Sequence, residues 1–221
     1  MSMQLYGSTI SPFVRKVAVF AEEKGIALDL IPTAPGDASP AFRAISPFGQ
    51  IPALVDGDFS LADSSAIVTY LEAKYPEPAL IPAKAQARGR AIWFDELADT
   101  IVFGAGRAML FNRVVGPLFR GGVGDAAVAD AAERDQWPGI LAYLDAQVGG
   151  QDFLVGDTLT LADIAVASAF ASTLHACAPV DAAVYPDLAR YLAAMLARPA
   201  FATRVAGERA FIERARARVA K

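Results

Sequence analysis

A hydroxyl side chain stands where a short apolar run gives way to a segment with helical periodicity. Ser11 precedes Pro12, and this pair favours a helix N-terminus because serine caps helices and proline suits the first helical position. Unpaired backbone N–H groups and the helix dipole would make that end of the helix attractive to an anion. A thiolate is one such anion, and the Ser11 hydroxyl would lie beside it. Ser8 and Thr9 are alternative hydroxyl donors in the same segment.

Two further segments could contact an extended ligand through backbone or polar groups. In the first, Gln50 and Ile51 precede Pro52 at the start of a predicted strand. A cis bond before Pro52 would turn the N–H and C=O of Ile51 toward a ligand, although a trans bond in a plain turn is the commoner arrangement. In the second, Asp63 or Ser64 can cap a predicted helix and create another anion site, although capping alone explains many such residues.

The elements that must position these residues change character partway along the chain. In the first part, apolar runs alternate with helical patterns and predict the order β-α-β-α-β-β-α, over residues 3–6, 12–24, 27–31, 40–45, 53–55, 59–61 and 63–75. No convincing strand is predicted after residue 84. Ala- and Leu-rich helices are predicted there instead, over residues 84–112, 125–148, 161–176, 186–197 and 207–219. Breaks are predicted at Gly116-Pro117, Gly121-Gly122, Gly149-Gly150 and Pro179.

The predicted fold class is therefore α/β plus all-α. The first domain covers residues 1–77, and a helical-bundle domain covers residues 86–221. The linker between them, residues 78–85, follows from a cluster of prolines that does not suit a helix interior.

Composition argues against several classes of partner. The 221 residues are 54% apolar and carry a net charge of −4, which does not suit a protein whose main partner is nucleic acid. No apolar run reaches the roughly 18 residues needed to cross a bilayer and no secretory signal is recognised, so we expect no membrane partner. The single cysteine, Cys177, excludes an internal disulfide and fits a reducing cytoplasm.

Other residues that could suggest chemistry are given structural interpretations. His175 and Cys177 are interpreted as residues packed in the helical core. Asp95, Glu96 and Asp99 are interpreted as an exposed helix face, because no histidine accompanies them as a metal ligand.

Taken in this order, the segments resemble those of a cytosolic glutathione transferase. Residues 11–16 carry the motif Ser-Pro-Phe-x-x-[Arg/Lys] at the start of the first helix. This motif is similar to that of the Tau class, whose members use a serine, and it would be similar to that of the Omega class if a cysteine replaced Ser11. Residues 49–52 resemble the family's turn with a cis-proline, and Asp63-Ser64 resembles the Glu-Ser pair that holds the γ-glutamyl end of glutathione. Residues 153–164 resemble the folding signature of the helical domain, including an N-capping box.

The resemblance implies a thioredoxin-like first domain, glutathione as co-substrate, a cytoplasmic homodimer and a role in detoxification. Ser11 would be the catalytic residue that stabilises the thiolate. Residues of the first domain would bind glutathione, namely Phe13, Gln50, Ile51, Pro52, Asp63 and Ser64. A small hydrophobic electrophile would contact Phe103, Arg107 and Met109 of the helical domain, and no metal is expected. The family also leaves Asp99 as a possible glutathione contact at a dimer interface.

The leading hypothesis is conjugation of the glutathione thiolate to a small electrophile. The sequence leaves open a glutathione-dependent peroxidase or isomerase, and a non-catalytic glutathione-binding or regulatory protein of the same fold. A thiol–disulfide reductase is disfavoured, because that chemistry requires a cysteine where Ser11 stands.

Overall fold

A four-stranded mixed sheet forms the centre of the first half of the chain. The computed structural model describes residues 2–219. The strands are β1 (Met3–Gly7), β2 (Leu28–Pro32), β3 (Ala53–Asp56) and β4 (Phe59–Ala62). Their spatial order is β2-β1-β3-β4, with β1 parallel to β2 and with β3 antiparallel to both of its neighbours. The predicted β-α-β unit and the predicted hairpin are both confirmed.

Three helices accompany the sheet, α1 (Pro12–Glu23), α2 (Pro40–Ile45) and α3 (Ser64–Lys74). Every residue of α1 from Val14 to Ala21 is buried. A helix that is buried on all faces needs neighbours on all sides. For α1 these neighbours are the sheet and α3 on one side and the helical half of the chain on the other.

The second half of the chain is helical. A nearly continuous rod comprises α4 (Ala85–Leu97), a π-helical turn (Ala98–Val102), α5 (Phe103–Leu110), a second π-helical turn (Phe111–Val115) and α6 (Gly116–Phe119). It is followed by α7 (Ala126–Asp135), α8 (Trp137–Val148), α9 (Leu161–His175), α10 (Pro186–Leu196) and α11 (Pro199–Val219). No strand occurs between residues 84 and 219, as predicted.

Two predicted helix boundaries are wrong. The break expected at Gly116-Pro117 is absent, because Pro117 lies in the first turn of α6, where proline is tolerated. The helix ends after Phe119, which agrees with the break predicted at Gly121-Gly122. The last helix begins at Pro199 rather than at residue 207, since the glycine at that position lies within the helix. Within residues 2–219, no helix is both long enough and apolar enough to span a membrane.

Helix α9 is the centre of the helical half. All of its residues except Leu174 are buried, and it packs against α1, α4 and α5. The predicted capping box at its N-terminus is present, with Thr160 as the cap and Asp163 as its partner. The Asp163 carboxylate accepts hydrogen bonds from the backbone N–H of Thr160 at 2.9 Å, from that of Leu154 at 2.8 Å and from the Tyr191 hydroxyl at 2.9 Å.

Replacing Asp163 with alanine is expected to lower the free energy of unfolding by about 2–4 kcal/mol. The change removes a cap and leaves four buried donors, the Thr160 hydroxyl included, without their acceptor. Urea unfolding followed by circular dichroism measures the loss. Asp157→Ala, at an exposed position in the same segment, is the control and should unfold like the parent protein. Equal stability of the two variants would contradict the prediction.

Candidate active site

Ser11 stands between the end of β1 and the first turn of α1. Its backbone N–H donates to the carbonyl of Ser8 at 2.9 Å, and its carbonyl accepts from the N–H of Arg15 at 3.0 Å. The side chain is half-buried and makes no capping hydrogen bond to its own helix. The expected capping bond is therefore absent, and the hydroxyl is available to another acceptor or donor.

The rival hydroxyl of Thr9 faces a different space. Thr9 lines a cleft of about 300 Å³ together with residues of β2, α1 and α11, among them Leu30, Glu22 and Arg204. Glu22 and Arg204 form an ion pair at that cleft. Thr9 and Ser11 are thus close in sequence, but Thr9 takes part in this cleft and Ser11 does not.

Gly7 brings the proline loop against the start of α1. A Cβ atom at Gly7 would lie 2.5 Å from Val14 Cγ2 and 3.3 Å from the Ile51 Cβ, and the φ angle of Gly7 is +150°. Only glycine permits so close an approach. The Ile51–Pro52 peptide bond is cis. Two of the three predicted ligand-binding segments, those of Ser11 and of Ile51, are therefore neighbours.

Gln50 lies at the exposed side of this loop. Its carbonyl accepts a hydrogen bond of 2.7 Å from the Ser46 hydroxyl, which fixes the backbone while the Gln50 side chain stays exposed. Phe48, two residues earlier, is 85% exposed. A neutral amide and a projecting aromatic ring are thus the surface groups of this loop.

The third segment caps α3. Asp63, with a φ angle of +82°, accepts hydrogen bonds of 3.0 Å from the backbone N–H groups of Ser65 and Ala66. Of the two predicted capping residues, Asp63 is therefore the one that caps. Ser64 is buried, and its hydroxyl lies 3.5 Å from Asp99 Oδ2.

Sequence reasoning missed a buried charge cluster that links α1 to this helix start. Lys16 Nζ donates to Asp95 Oδ1 at 2.7 Å, to Asp99 Oδ2 at 2.6 Å and to the Ser65 hydroxyl at 3.2 Å. Lys16 and Asp95 are both 1% exposed. The predicted exposed carboxylate face is therefore wrong for Asp95 and Asp99, and holds only for Glu96.

Two features of the sequence could have predicted this cluster. Lys16 lies within an apolar helical segment, and Asp95 and Asp99 have the spacing of residues on one helix face. A buried lysine requires a carboxylate partner, because an unpaired charge in the interior is strongly unfavourable. Residues 95 and 99 are four apart and so lie on one face of their helix. The pKa of Asp99 is raised to about 6, chiefly by burial and also by the neighbouring Asp95, against the opposing influence of Lys16.

The helical half contributes an aromatic contact close to Ser11. The rings of Phe13 and Phe103 meet edge to face, with centroids 5.2 Å apart. Arg107, one turn along α5 from Phe103, is exposed and lies over the ring of Phe111 at 5.2 Å. Met109 is fully buried in the core, where it has no surface for a ligand to contact.

The two remaining residues singled out in the sequence differ in their surroundings. His175 is buried, as expected, and its Nε2 lies 2.7 Å from Glu208 Oε2. Cys177 is exposed and has a φ angle of +58°, so its expected place in the core is wrong. It follows the end of α9, where the chain turns back, and helical periodicity no longer governs burial. Among residues 2–219, no three His, Cys, Asp or Glu side chains group as metal ligands.

Comparison with known proteins identifies the family. Residues 5–79 match the model of the glutathione S-transferase N-terminal domain, and residues 123–203 match that of the C-terminal domain. Glutathione S-transferase 3 of Zea mays is 36% identical over 211 residues, which cover 92% of this chain and 93% of the relative. The chain belongs to the glutathione S-transferase family.

Other relatives extend the likeness beyond plants. Human glutathione S-transferase theta-2 is 33% identical over 171 residues, which cover 74% of this chain and 68% of the relative. The theta class glutathione S-transferase of Xanthomonas axonopodis, solved with glutathione bound, is 30% identical with a TM-score of 0.80 and covers 92% of this chain and 97% of that one. The transferase of Methylobacillus flagellatus, also solved with glutathione, is 33% identical with a TM-score of 0.77 and covers 92% of this chain and 98% of that one.

The family membership confirms the expected enzyme class and the expected fold of this glutathione S-transferase. The narrower likeness to the Tau and Omega classes stays a prediction, as do the domain boundaries at residues 77 and 86.

Replacing Asp99 with asparagine should change how the stability of this transferase depends on pH. The folded-state pKa of Asp99, about 6, lies above its ordinary value of 3.8, so the ionised carboxylate destabilises the fold at neutral pH. This destabilisation decreases as the pH falls from 6 toward 3.8, because the folded protein takes up the proton before the unfolded chain does, and it is absent below 3.8. Asp99→Asn should therefore raise the free energy of unfolding by about 1–3 kcal/mol at pH 7.5.

Urea unfolding at several pH values between 8 and 4.5 provides the measurement. The advantage of Asp99→Asn should shrink as the pH decreases, whereas Glu96→Gln, at an exposed position of the same helix, should follow the parent protein at every pH. A constant difference between Asp99→Asn and the parent across this range would be inconsistent with a raised pKa.

Proposed function

We propose that this glutathione S-transferase conjugates the glutathione thiolate to a small hydrophobic electrophile, with Ser11 donating a hydrogen bond to the sulfur. The observation that carries the proposal is the Ser11 hydroxyl itself. It lies at the N-terminus of α1, close to the cis-proline loop, and is not used by its own helix. A serine hydroxyl in that position can donate to an anion and accept from a further group.

A serine hydroxyl at a helix N-terminus can lower the pKa of the glutathione thiol enough for catalysis without a general base. A thiol with an ordinary pKa of about 8.5 is only roughly 3% ionised at pH 7. Lowering that pKa by about two units requires about 2.7 kcal/mol of preferential stabilisation of the thiolate. A hydrogen bond to a charged group contributes about 1.5–3 kcal/mol, and a helix N-terminus adds about 0.3–1 kcal/mol. The two together are sufficient.

The rest of glutathione would extend from Ser11 along the first half of the chain. The Ile51 backbone would pair with the peptide groups of the tripeptide, and the exposed Gln50 amide would contact the glycyl carboxylate. The start of α3, with Asp63 and Ser64, would hold the γ-glutamyl end, where Lys16 lies behind Ser65. Phe13 and Pro52 would complete this surface.

The electrophile would bind on the side of the helical half. Phe103 is only 7% exposed and packs behind Phe13, two residues from Ser11, so a ligand beside the thiolate would meet the half-buried ring of Phe13 first. Arg107 lies on the open side of the same stretch of α5. Aromatic surface next to a thiolate suits an apolar electrophile whose reacting carbon is held against the sulfur.

Ser11→Ala should raise the pKa of the bound glutathione thiol by about one to two units. Removal of the hydroxyl takes away the charged hydrogen bond but leaves the helix N-terminus. The ultraviolet absorbance of the bound thiolate, titrated against pH, measures the shift. Conjugation of an aryl halide at pH 6.5 should fall roughly 5–50-fold, since the thiolate fraction drops from about one half to about 9% or 1% when the pKa rises by one or two units.

Thr9→Val and Ser8→Ala are the matched controls for this experiment. Thr9 lines the cleft at β2, so its replacement should leave the thiol titration unchanged. If Thr9→Val shifts the titration and Ser11→Ala does not, the thiolate donor is Thr9. A parent enzyme that binds glutathione without conjugating aryl halides, peroxides or isothiocyanates would favour the non-catalytic function.

We also propose a cytoplasmic homodimer that forms through the groove between α3 and α4. This groove has a volume of about 570 Å³ and includes Thr69, Tyr70, Ala73 and Ile92. Phe59, whose ring packs on that of Tyr70, is 42% exposed beside it. Apolar surface of this kind next to an open groove is typical of subunit interfaces.

Ile92→Arg should convert the dimer to a monomer, because it places a charge in the centre of the proposed interface. Size-exclusion chromatography with light scattering gives the mass of the species in solution. Val123→Arg, at a fully exposed position in the loop before α7, is the control and should leave the mass at twice that of one chain. A parent protein that elutes as a monomer at micromolar concentration would rule out the homodimer.

A further inference from the structure

A buried arginine joins the start of α1 to two helices of the second half. Arg15 is fully buried, and its Nε and Nη2 donate to the two carboxylate oxygens of Glu208 on α11, at 3.1 and 2.6 Å. Its Nη1 donates to the Ser168 carbonyl at 2.5 Å and to the Ser172 hydroxyl at 3.1 Å, both on α9. This bidentate geometry fixes the plane of the guanidinium group.

The carboxylate of Glu208 has a second buried partner. His175 Nε2 lies 2.7 Å from Glu208 Oε2, and both side chains are 2% exposed. Burial by itself raises the pKa of Glu208, but Arg15 and His175 outweigh that effect, so the pKa lies below its ordinary value. Glu208 is therefore ionised at neutral pH and holds the guanidinium from the side of α11.

The same cluster reaches the backbone on both sides of Ser11. The Ser172 hydroxyl accepts from Arg15 and donates to the carbonyl of Ile10, the residue before Ser11, at 3.4 Å. The Arg15 N–H donates to the carbonyl of Ser11 at 3.0 Å. The peptide group before Ser11 is thus linked to the Arg15 guanidinium through one hydroxyl, and the peptide group after it accepts the ordinary helical bond from the backbone N–H of Arg15.

Helix α9 also contacts the helix that carries the electrophile residues. A Cβ atom at Gly106 of α5 would lie 2.7 Å from Thr173 Cγ2, so the two helices meet at a distance that only glycine allows. Phe103 and Arg107 flank Gly106 along α5. Two successive residues of one buried helix, Ser172 and Thr173, therefore contact the Ser11 segment and the α5 segment.

We propose that Ser172, Arg15 and Glu208 are positioning residues that set the Ser11 hydroxyl relative to α5. This inference rests on the proposed function of Ser11. Conjugation requires the thiolate and the electrophile to be aligned within a fraction of an ångström, and a buried rigid helix that contacts both segments can maintain that alignment. The network positions Ser11 through its backbone and does not touch the ligand.

The test compares two serines of the same helix. Ser172→Ala removes the hydroxyl that links Arg15 to Ile10. Ser168→Ala, one turn earlier on α9, removes a hydroxyl that is equally buried but has no hydrogen-bond partner among residues 2–219. Each variant is titrated for the absorbance of the bound glutathione thiolate and assayed for kcat and KM with an aryl halide.

For Ser172→Ala we expect the pKa of the bound thiol to rise by about half a unit to one unit and kcat/KM for the electrophile to fall about 3–10-fold. The dissociation constant for glutathione should change less than about twofold, because the residues that bind the tripeptide are untouched. Ser168→Ala should match the parent enzyme in all three measurements. The thiol pKa does not depend on the amount of folded protein, so a loss of stability cannot imitate the result.

Glu208→Gln serves as a second variant, since it keeps an oxygen acceptor for Arg15 but removes the charge. It should lower kcat/KM for the electrophile as Ser172→Ala does; the thiol pKa is compared for the serine variants alone, because loss of a buried anion would itself favour the thiolate. If Ser172→Ala titrates like Ser168→Ala, and both Ser172→Ala and Glu208→Gln keep the parent kcat/KM and only melt earlier, the network is structural and the inference is overturned. A parent enzyme whose bound thiol titrates like free glutathione, or a Ser11→Ala variant without effect, overturns the proposed role of Ser11 and this inference with it.

Discussion

Two adjacent cations on a buried helix determine how the two halves of this transferase fit together. Arg15 and Lys16 lie on α1, which is enclosed by the sheet and by the helical half. Neither charge can remain unpaired in that environment. Arg15 is neutralised by Glu208 of α11, and Lys16 by Asp95 and Asp99 at the end of α4. Because these carboxylates come from widely separated helices, the two pairs fix both helices against α1.

The proposed thiolate site lies at the start of α1, the helix that carries both buried cations. Ser11 opens the helix that carries both cations, and Lys16 reaches the start of α3 through Ser65. The proposed thiolate site and the γ-glutamyl site thus belong to one hydrogen-bonded assembly. Removing Asp95 or Glu208, each a buried partner of a buried cation, costs about 3–5 kcal/mol, which makes this assembly hard to rearrange without unfolding. Rigidity is an advantage to a site that works by hydrogen bonding and alignment rather than by a general base.

Local signals in the sequence predict most of the fold, but not the charge clusters. Turn chemistry at Asp56-Gly57, the serine–proline helix start and the capping box at Thr160 all depend on neighbouring residues, and each is found in the structure. The partners of Arg15 and Lys16 are about 80 to 190 residues away, and periodicity does not report such pairs. The predicted carboxylate face failed for this reason, because the exposure of Asp95 depends on a lysine in another part of the chain.

The place of Glu208 near the end of the chain has a consequence for biosynthesis. The first 75 residues leave the ribosome long before the partner of Arg15 has been translated. Until α11 emerges, the nascent α1 carries an uncompensated guanidinium and cannot be enclosed in its final setting. Truncation before residue 208 would therefore remove the anion that pairs with Arg15 once the helical half covers α1.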